Sequence, residues 1–251
     1  MSQTTPVLVL IDAMNLLRRT YAAIEHTDDA IERLKIQSLK QLHRLLQQQH
    51  ASHAVAVFDG LQPGWRHQLW PSYKASRKPL PATLADGLDE VQEYWLQAGI
   101  DSVLPQSDEA DDVIATLAVK ATKHQVMVHI VSTDQGFYQL LNEHIHQYDC
   151  FAKQWLTPEH YQQKFGIHQQ QWPKYKALTG ESSSDIPGIS GFGPATAKAF
   201  ILNDDDPTTL APAKQKSWQQ EQHLVAIFQQ LVTLNTECEL GFKLSDLRYT
   251  P

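Results

Sequence analysis

Three short apolar runs in the first half of the chain each end in an aspartate. Val7-Leu8-Val9-Leu10-Ile11 stops at Asp12, Ala54-Val55-Ala56-Val57-Phe58 at Asp59, and Val126-Met127-Val128-His129-Ile130-Val131 at Ser132-Thr133-Asp134. A continuous apolar run of this length reads as a strand buried on both faces, which is how strands of a parallel sheet read. Helical patterns over about 30–50 and about 82–98, the second closed by Gly99, lie between the runs. The expected fold class is therefore α/β, a parallel sheet flanked by helices. Ligand sites in such sheets lie beyond the carboxyl ends of the strands, so Asp12, Asp59 and Asp134 are expected to converge there. One strand-terminal Asp is an ordinary helix cap or turn former; three of three argue for a shared site.

A second acidic feature sharpens this. Asp108-Glu109-Ala110-Asp111-Asp112 opens an apolar segment that continues to Ala118. These carboxylates cannot all be buried bare, because each would carry a large desolvation cost. On a helix, Asp108, Asp111 and Asp112 share one face at the i, i+3, i+4 spacing. Like charges so close suit a hard divalent cation such as Mg²⁺, which prefers oxygen ligands. A solvated acidic first turn, favoured by the helix dipole, is the plainer alternative.

The net charge of the 251-residue chain is -7, so no global basic field recruits a polyanion, and any nucleic-acid site must be a local patch or a metal bridge. The only cysteines are Cys150 and Cys238, which suggests neither a disulfide framework nor a zinc site and is read most simply as reduced cytosolic thiols. Met1-Ser2-Gln3-Thr4-Thr5 lacks the basic start of a signal peptide, and no apolar stretch approaches a membrane span. A cytoplasmic protein with no membrane partner is expected.

A local basic patch does exist. Within residues 64–79, Arg66, Lys74, Arg77 and Lys78 interleave with Trp65, Trp70 and Tyr73. Cations suit phosphates and aromatic faces suit unstacked bases, and the strip follows directly on Asp59. After about residue 150 the sheet pattern fades. Residues 157–202 read as short helices with tight turns, 203–207 as an exposed loop and 214–234 as an amphipathic helix. The stretch Pro187-Gly188-Ile189-Ser190-Gly191-Phe192-Gly193-Pro194-Ala195-Thr196-Ala197-Lys198 reads as the hairpin of a helix-hairpin-helix element. Its glycines let the backbone approach a phosphate, and the helix after it offers free N–H groups.

Taken in order, Leu10-Ile11-Asp12-Ala13-Met14-Asn15, Ala56-Val57-Phe58-Asp59, Arg66-His67, Tyr73-Lys74-Ala75-Ser76-Arg77, Glu109-Ala110-Asp111-Asp112, Ser132-Thr133-Asp134 and the hairpin resemble the 5′-nuclease, or flap endonuclease, family. The resemblance is greatest to its short stand-alone bacterial members. It implies a PIN-like α/β nuclease core over residues 1–156, with an arch segment about 64–98. It also implies a helical DNA-binding part over 157–251, with the helix-hairpin-helix, or helix-three-turn-helix, about 172–202. The implied activity is Mg²⁺-dependent cleavage of DNA near single-strand/double-strand junctions, with Mn²⁺ able to substitute, by a monomer. The implied ligands are Asp12, Asp59, Glu109 and Asp111, with Asp112 nearby and Asp134 between two metal sites. Lys74 and Arg77 match cations that hold the scissile phosphate. DNA contacts are implied for Arg66, Tyr73, Lys74, Arg77, Gly191, Phe192, Gly193, Pro194, Ala195, Thr196 and Lys198. A K⁺ ion is implied at the main-chain carbonyls of Leu178, Thr179, Pro187, Ile189 and Phe192.

Where the family usually carries acidic second-site positions, this chain has Gly136, Glu181 and Ser184, and Asp185 stands at the place of an Asn. A hydroxyl is a far poorer ligand for a dication than a carboxylate. Three readings stand at this point: a 5′ flap endonuclease, a DNA-junction binding protein with weak or vestigial nuclease activity, and an RNA-cleaving nuclease with the same core.

Overall fold

The computed structural model describes residues 5–250; Met1–Thr4 and Pro251, and with them the reading of the extreme N-terminus, lie outside it. The chain runs β1 (Val7–Asp12), α1 (Ala13–Ala22), α2 (Ala30–Gln48), β2 (His53–Val57), α3 (Trp65–Leu69), α4 (Ala82–Asp86), α5 (Leu88–Gln97), β3 (Asp101–Val103), α6 (Ala110–Thr122), β4 (Met127–Val131), β5 (Ile145–Asp149) and β6 (Gln154–Leu156). Helices follow: α7 (Pro158–Phe165), α8 (Trp172–Thr179), α9 (Pro194–Leu202) and α10 (Pro212–Val232).

The strands form one sheet in the order β3-β2-β1-β4-β5-β6. All neighbouring pairs are parallel except β5 with β6. Alternate residues of β1 enter different cores: Leu8 and Leu10 join one, Val9 and Ile11 the other. This is why the run carries no polar alternation. One face is covered by α1, α2 and α5 through Leu17, Leu34, Leu42 and Trp95. The other is covered by α6, whose Val113, Ile114 and Leu117 share a core with Tyr161, Trp172, Phe200 and Phe228 of the later helices. The helical part is thus packed onto the sheet through a common apolar core.

The chain leaves β1 toward β2 on one side and returns at β4 on the other. A crevice therefore opens beyond the carboxyl ends of β1 and β4, the topological switch point of the sheet. The expected single helix over about 82–98 is instead two. It breaks at Gly87, where the backbone lies so close to Ile31 of α2 that a Cβ would collide with that side chain. Helix α1 and the short strands β3, β5 and β6 were not evident from apolar patterning.

Candidate active site

Four strand ends deliver acidic side chains to one pocket of about 300 Å³. Asp12 closes β1, Asp59 follows β2, Glu109 and Asp111 follow β3, and Asp134 follows β4; all five line the pocket with Arg18, Lys74, Arg77, Lys176 and Glu181. Two of the aspartates that line the pocket also act as local caps. Asp12 accepts the Asn15 amide at 3.1 Å, capping α1, and the Ser132 hydroxyl at 2.7 Å. Asp134 accepts the Gly136 amide at 2.5 Å at the start of a 3₁₀ turn over Gln135–Leu140.

The electrostatics are those of an unneutralised acidic cluster. Burial pushes the Asp12 carboxyl up to about 7, against its hydrogen bonds from Ser132 and Asn15, and Asp134 and Asp59 add to the rise. Asp111 is raised by burial and then by Asp134 and Asp12. Asp134 keeps one side open to the pocket mouth, yet the protein packed around it and Glu181 raise it too. Glu109 behaves oppositely. Burial would raise it, but Lys74 and Arg66 hold it below the usual carboxylate range. Lys74 Nζ donates to Glu109 Oε1 at 2.8 Å, Tyr73 Oη to Oε2 at 3.0 Å and Arg66 Nη1 to Oε2 at 3.2 Å.

Among the described residues no three acidic, imidazole or thiol groups already stand in coordinating geometry. The donor set nonetheless fits a hard dication. It consists of carboxylate oxygens in a partly buried pocket, and Asp12, Asp59, Asp111 and Asp134 form no ion pair among the described residues.

Two expectations about the acidic cluster are corrected. The helix begins at Ala110, so Asp108 lies outside it and Asp108, Asp111 and Asp112 do not present one face. Asp111 and Asp112 diverge as adjacent helical residues must. Asp112 is fully buried away from the pocket, where Arg66 Nη1 and Nη2 reach it at 2.6 and 2.7 Å and the Asn235 amide at 2.9 Å. It is a structural partner of Arg66, not a metal ligand.

The basic strip is corrected as well. Arg66 is 3% exposed and spends its remaining donors on the Leu231 and Thr233 carbonyls, so it offers nothing to DNA. Trp65 lies under the Arg66 guanidinium, Trp70 packs edge-on against Phe228 of α10, and Tyr73 is buried. These aromatics anchor the strip instead of stacking on bases. Lys74 and Arg77 do reach the pocket. Lys74 has φ +54°, a left-handed conformation, and its amide donates to the Ser184 carbonyl at 3.0 Å.

In the hairpin, Gly180 and Gly188 both have positive φ and lie backbone to backbone; a Cβ on Gly188 would stand 2.5 Å from the Gly180 nitrogen. Gly191, Gly193, Pro194 and Ala195 are exposed, and Gly193 precedes α9 as its cap. Phe192 is different: its ring is buried against Phe200 and Trp218, so only its backbone can face a ligand. The Lys198 ammonium lies over Gly166 at the end of α7, not at the hairpin turn. Of the carbonyls expected to hold K⁺, those of Leu178 and Ile189 accept the Ile189 and Phe192 amides, each at 2.9 Å, while Thr179, Pro187 and Phe192 surround the same turn.

Three pocket and hairpin residues lie outside the motifs singled out in the sequence. Arg18 stands one turn into α1 beyond Asn15, and Lys176 sits at the end of α8. Lys214 of α10 donates to the Thr196 hydroxyl at 2.6 Å. The i+3 spacing of Arg18 to Asn15 is a local signal for it; the other two come from helices distant in the chain from what they touch.

Residues 7–166 match the family described as 5′-3′ exonuclease, N-terminal resolvase-like domain, and residues 167–251 that described as 5′-3′ exonuclease, C-terminal SAM fold. The chain belongs to the 5′-3′ exonuclease family. It is 42% identical over 251 residues to Flap endonuclease Xni of Vibrio vulnificus strain CMCP6, covering 97% of this chain and 96% of the relative. To Flap endonuclease Xni of Psychromonas ingrahamii it is 45% identical over 257 residues, covering 97% of both. A structure of the T5 5′-exonuclease with bound zinc shares the fold at a TM-score of 0.80 and 16% identity, over 91% of this chain and 90% of the other.

Proposed function

We propose that this protein is a Mg²⁺-dependent 5′ flap endonuclease that hydrolyses DNA phosphodiesters near single-strand/double-strand junctions. The observation that carries the reading is the meeting of Asp12, Asp59, Asp111 and Asp134, from four strand ends, in one pocket edged by Lys74 and Arg77. Full-length similarity to flap endonucleases supports it.

Asp12, Asp59, Asp111 and Asp134 would hold the divalent ion, with Glu109 available to join them from its bridge to Lys74. When bound, such an ion supplies Lewis-acid polarisation of the phosphate and acidifies a water. The chain's own contributions are positional. Lys74 and Arg77 orient the scissile phosphate from the pocket edge. The exposed backbone from Gly191 to Ala195, with Thr196 and Lys214 beside it, grips the duplex backbone without reading bases. K⁺ bound at the turn carbonyls would add a bridge to the DNA phosphate. Residues 1–156 act as the nuclease core and 157–251 as the duplex-holding part of a monomer.

The test is cleavage of a 5′-flap duplex with Mg²⁺. Wild type is expected to cut near the junction and Asp111→Ala to be inactive; an inert wild type, or a fully active variant, overturns the catalytic assignment. A DNA-junction binder with vestigial catalysis is the second reading, favoured by Gly136 and Ser184 at acidic positions of the motif. It predicts salt-sensitive flap binding without turnover.

A further inference from the structure

Two lysines could serve the hairpin, and the fold sends them to different places. No Lys or Arg stands between Pro187 and Ala197, and the first cation after the turn is Lys198. Its ammonium lies over Gly166, the left-handed residue that closes α7, where a Cβ would overlap it. A cation at a helix carboxyl end is favoured by the helix dipole, so Lys198 serves the contact of α9 with α7. The exposed turn from Gly191 to Ala195 is left with no cation from its own segment.

Helix α10 supplies one. Lys214, Trp218 and Glu221 are spaced i, i+4, i+7 along it and so share a face. The Trp218 ring packs on Phe192 and Phe200 at centroid distances of 5.6 and 4.7 Å, which fixes this face against the turn. On one flank the half-buried Lys214 passes beside Gly191, where a Cβ would stand 3.4 Å from the lysine Cγ, and its Nζ donates to Thr196 Oγ1 at 2.6 Å. Lys214 forms no ion pair among the described residues, and an ammonium has three N–H donors. On the other flank Glu221 Oε2 accepts the Ser190 amide at 2.7 Å. That amide is spent, and the carboxylate repels a phosphate there. The turn therefore has a cationic flank and an anionic one.

We propose that Lys214 of α10, in place of Lys198 of the motif, is the cation with which the hairpin holds a DNA phosphate. The inference rests on the nuclease reading above and deepens it by naming the ionic contact of the duplex-holding part. The phosphate would lie on the Thr196 flank, where the ammonium donates to its oxygens. The lysine stem is already packed along the turn, so little side-chain freedom remains to be lost when the phosphate arrives.

The experiment compares the salt dependence of two lysine variants. Binding of the full-length protein to a 5′-flap duplex is read by fluorescence anisotropy without divalent metal, at fixed KCl and increasing NaCl. Lys214→Met is expected to bind about tenfold more weakly. It should also lower the slope of log Kd against log salt by about one, and Lys214→Arg should restore that slope. Lys198→Met is expected to keep the wild-type slope and an affinity within about twofold. An unchanged slope in Lys214→Met overturns the proposal even where affinity falls, because a lysine that only props the turn neutralises no phosphate. So does a lowered slope in Lys198→Met. Should Lys214→Met lose its cooperative melting transition, the Lys198→Met titration decides alone. Cleavage of the same flap by wild type with Mg²⁺ separates the two readings: an inert wild type overturns the nuclease reading, while the slopes still decide the phosphate contact.

Discussion

Arg66 and Asp112 form a bidentate ion pair at 2.6 and 2.7 Å, sealed from solvent between α3 and α6. The pair also collects the Leu231 and Thr233 carbonyls and the Asn235 amide at the end of α10. Three chain segments therefore depend on one buried charge match, directly behind Glu109. Removing one partner leaves the other charged and desolvated. Asp112→Ala is expected to cost about 3–5 kcal/mol of stability, measured by urea unfolding. A cost below about 1 kcal/mol would mean that the pair is not isolated from water.

Asp111 predicts the opposite sign. Its carboxyl is raised by burial and by Asp134 and Asp12, so in metal-free buffer it opposes folding. Asp111→Asn is expected to gain on the order of 1 kcal/mol there while abolishing cleavage. Mg²⁺ at a hundredfold excess over its Kd should stabilise wild type by about 2.7 kcal/mol. Thermal melts with and without Mg²⁺ check this; an equal response in Asp111→Asn would remove Asp111 from the metal site.

Ser76 is tied to the loop after α8. Its amide and hydroxyl donate to the Asp185 carboxylate at 2.7 and 2.6 Å, and the neighbouring Lys74 amide reaches Ser184. The segment that presents Lys74 and Arg77 is thereby fastened to the approach of the hairpin. In Asp185→Ala, amide exchange across residues 72–78 should quicken by roughly fivefold, the equivalent of one net hydrogen bond of about 1 kcal/mol. The substrate KM should rise more than kcat falls. Unchanged exchange would show that the clasp holds nothing.

His129 gives a pH signature away from the pocket. Burial, and then His146 stacked beside it, depress its pKa to about 4, and its Nδ1 has no partner. The unfolded chain takes up this proton near pH 6.5 and the folded chain does not until about 4. This residue's effect is therefore absent above about pH 6.5, and it destabilises progressively as pH falls to about 4, by up to about 3 kcal/mol. Urea unfolding of wild type and His129→Leu from pH 7 to 4 should show the variant losing less stability. Parallel pH profiles would refute the depressed pKa.

Features encoded in consecutive residues were readable directly. The apolar runs of β1, β2 and β4 need burial on both faces. The periodicity of α2 and α10 and the glycine turn before α9 are equally local. From strands with acidic ends, an α/β sheet and a carboxylate pocket at its carboxyl edge follow. The short strands β3, β5 and β6 are less visible because the sheet already formed by β1, β2 and β4 supplies their pairing partners.

What only the tertiary structure decided is which charges meet. Asp111 and Asp112 are neighbours in sequence, yet one faces the pocket and the other Arg66, because helical geometry turns them about 100° apart. Arg66 reads as a phosphate contact until α10 delivers the carbonyls that bury it. Lys176, Lys214 and Lys198 find Glu181, Thr196 and the α7 terminus respectively. A local pattern specifies the face a residue turns inward; its partner there is set by packing between segments far apart in the chain.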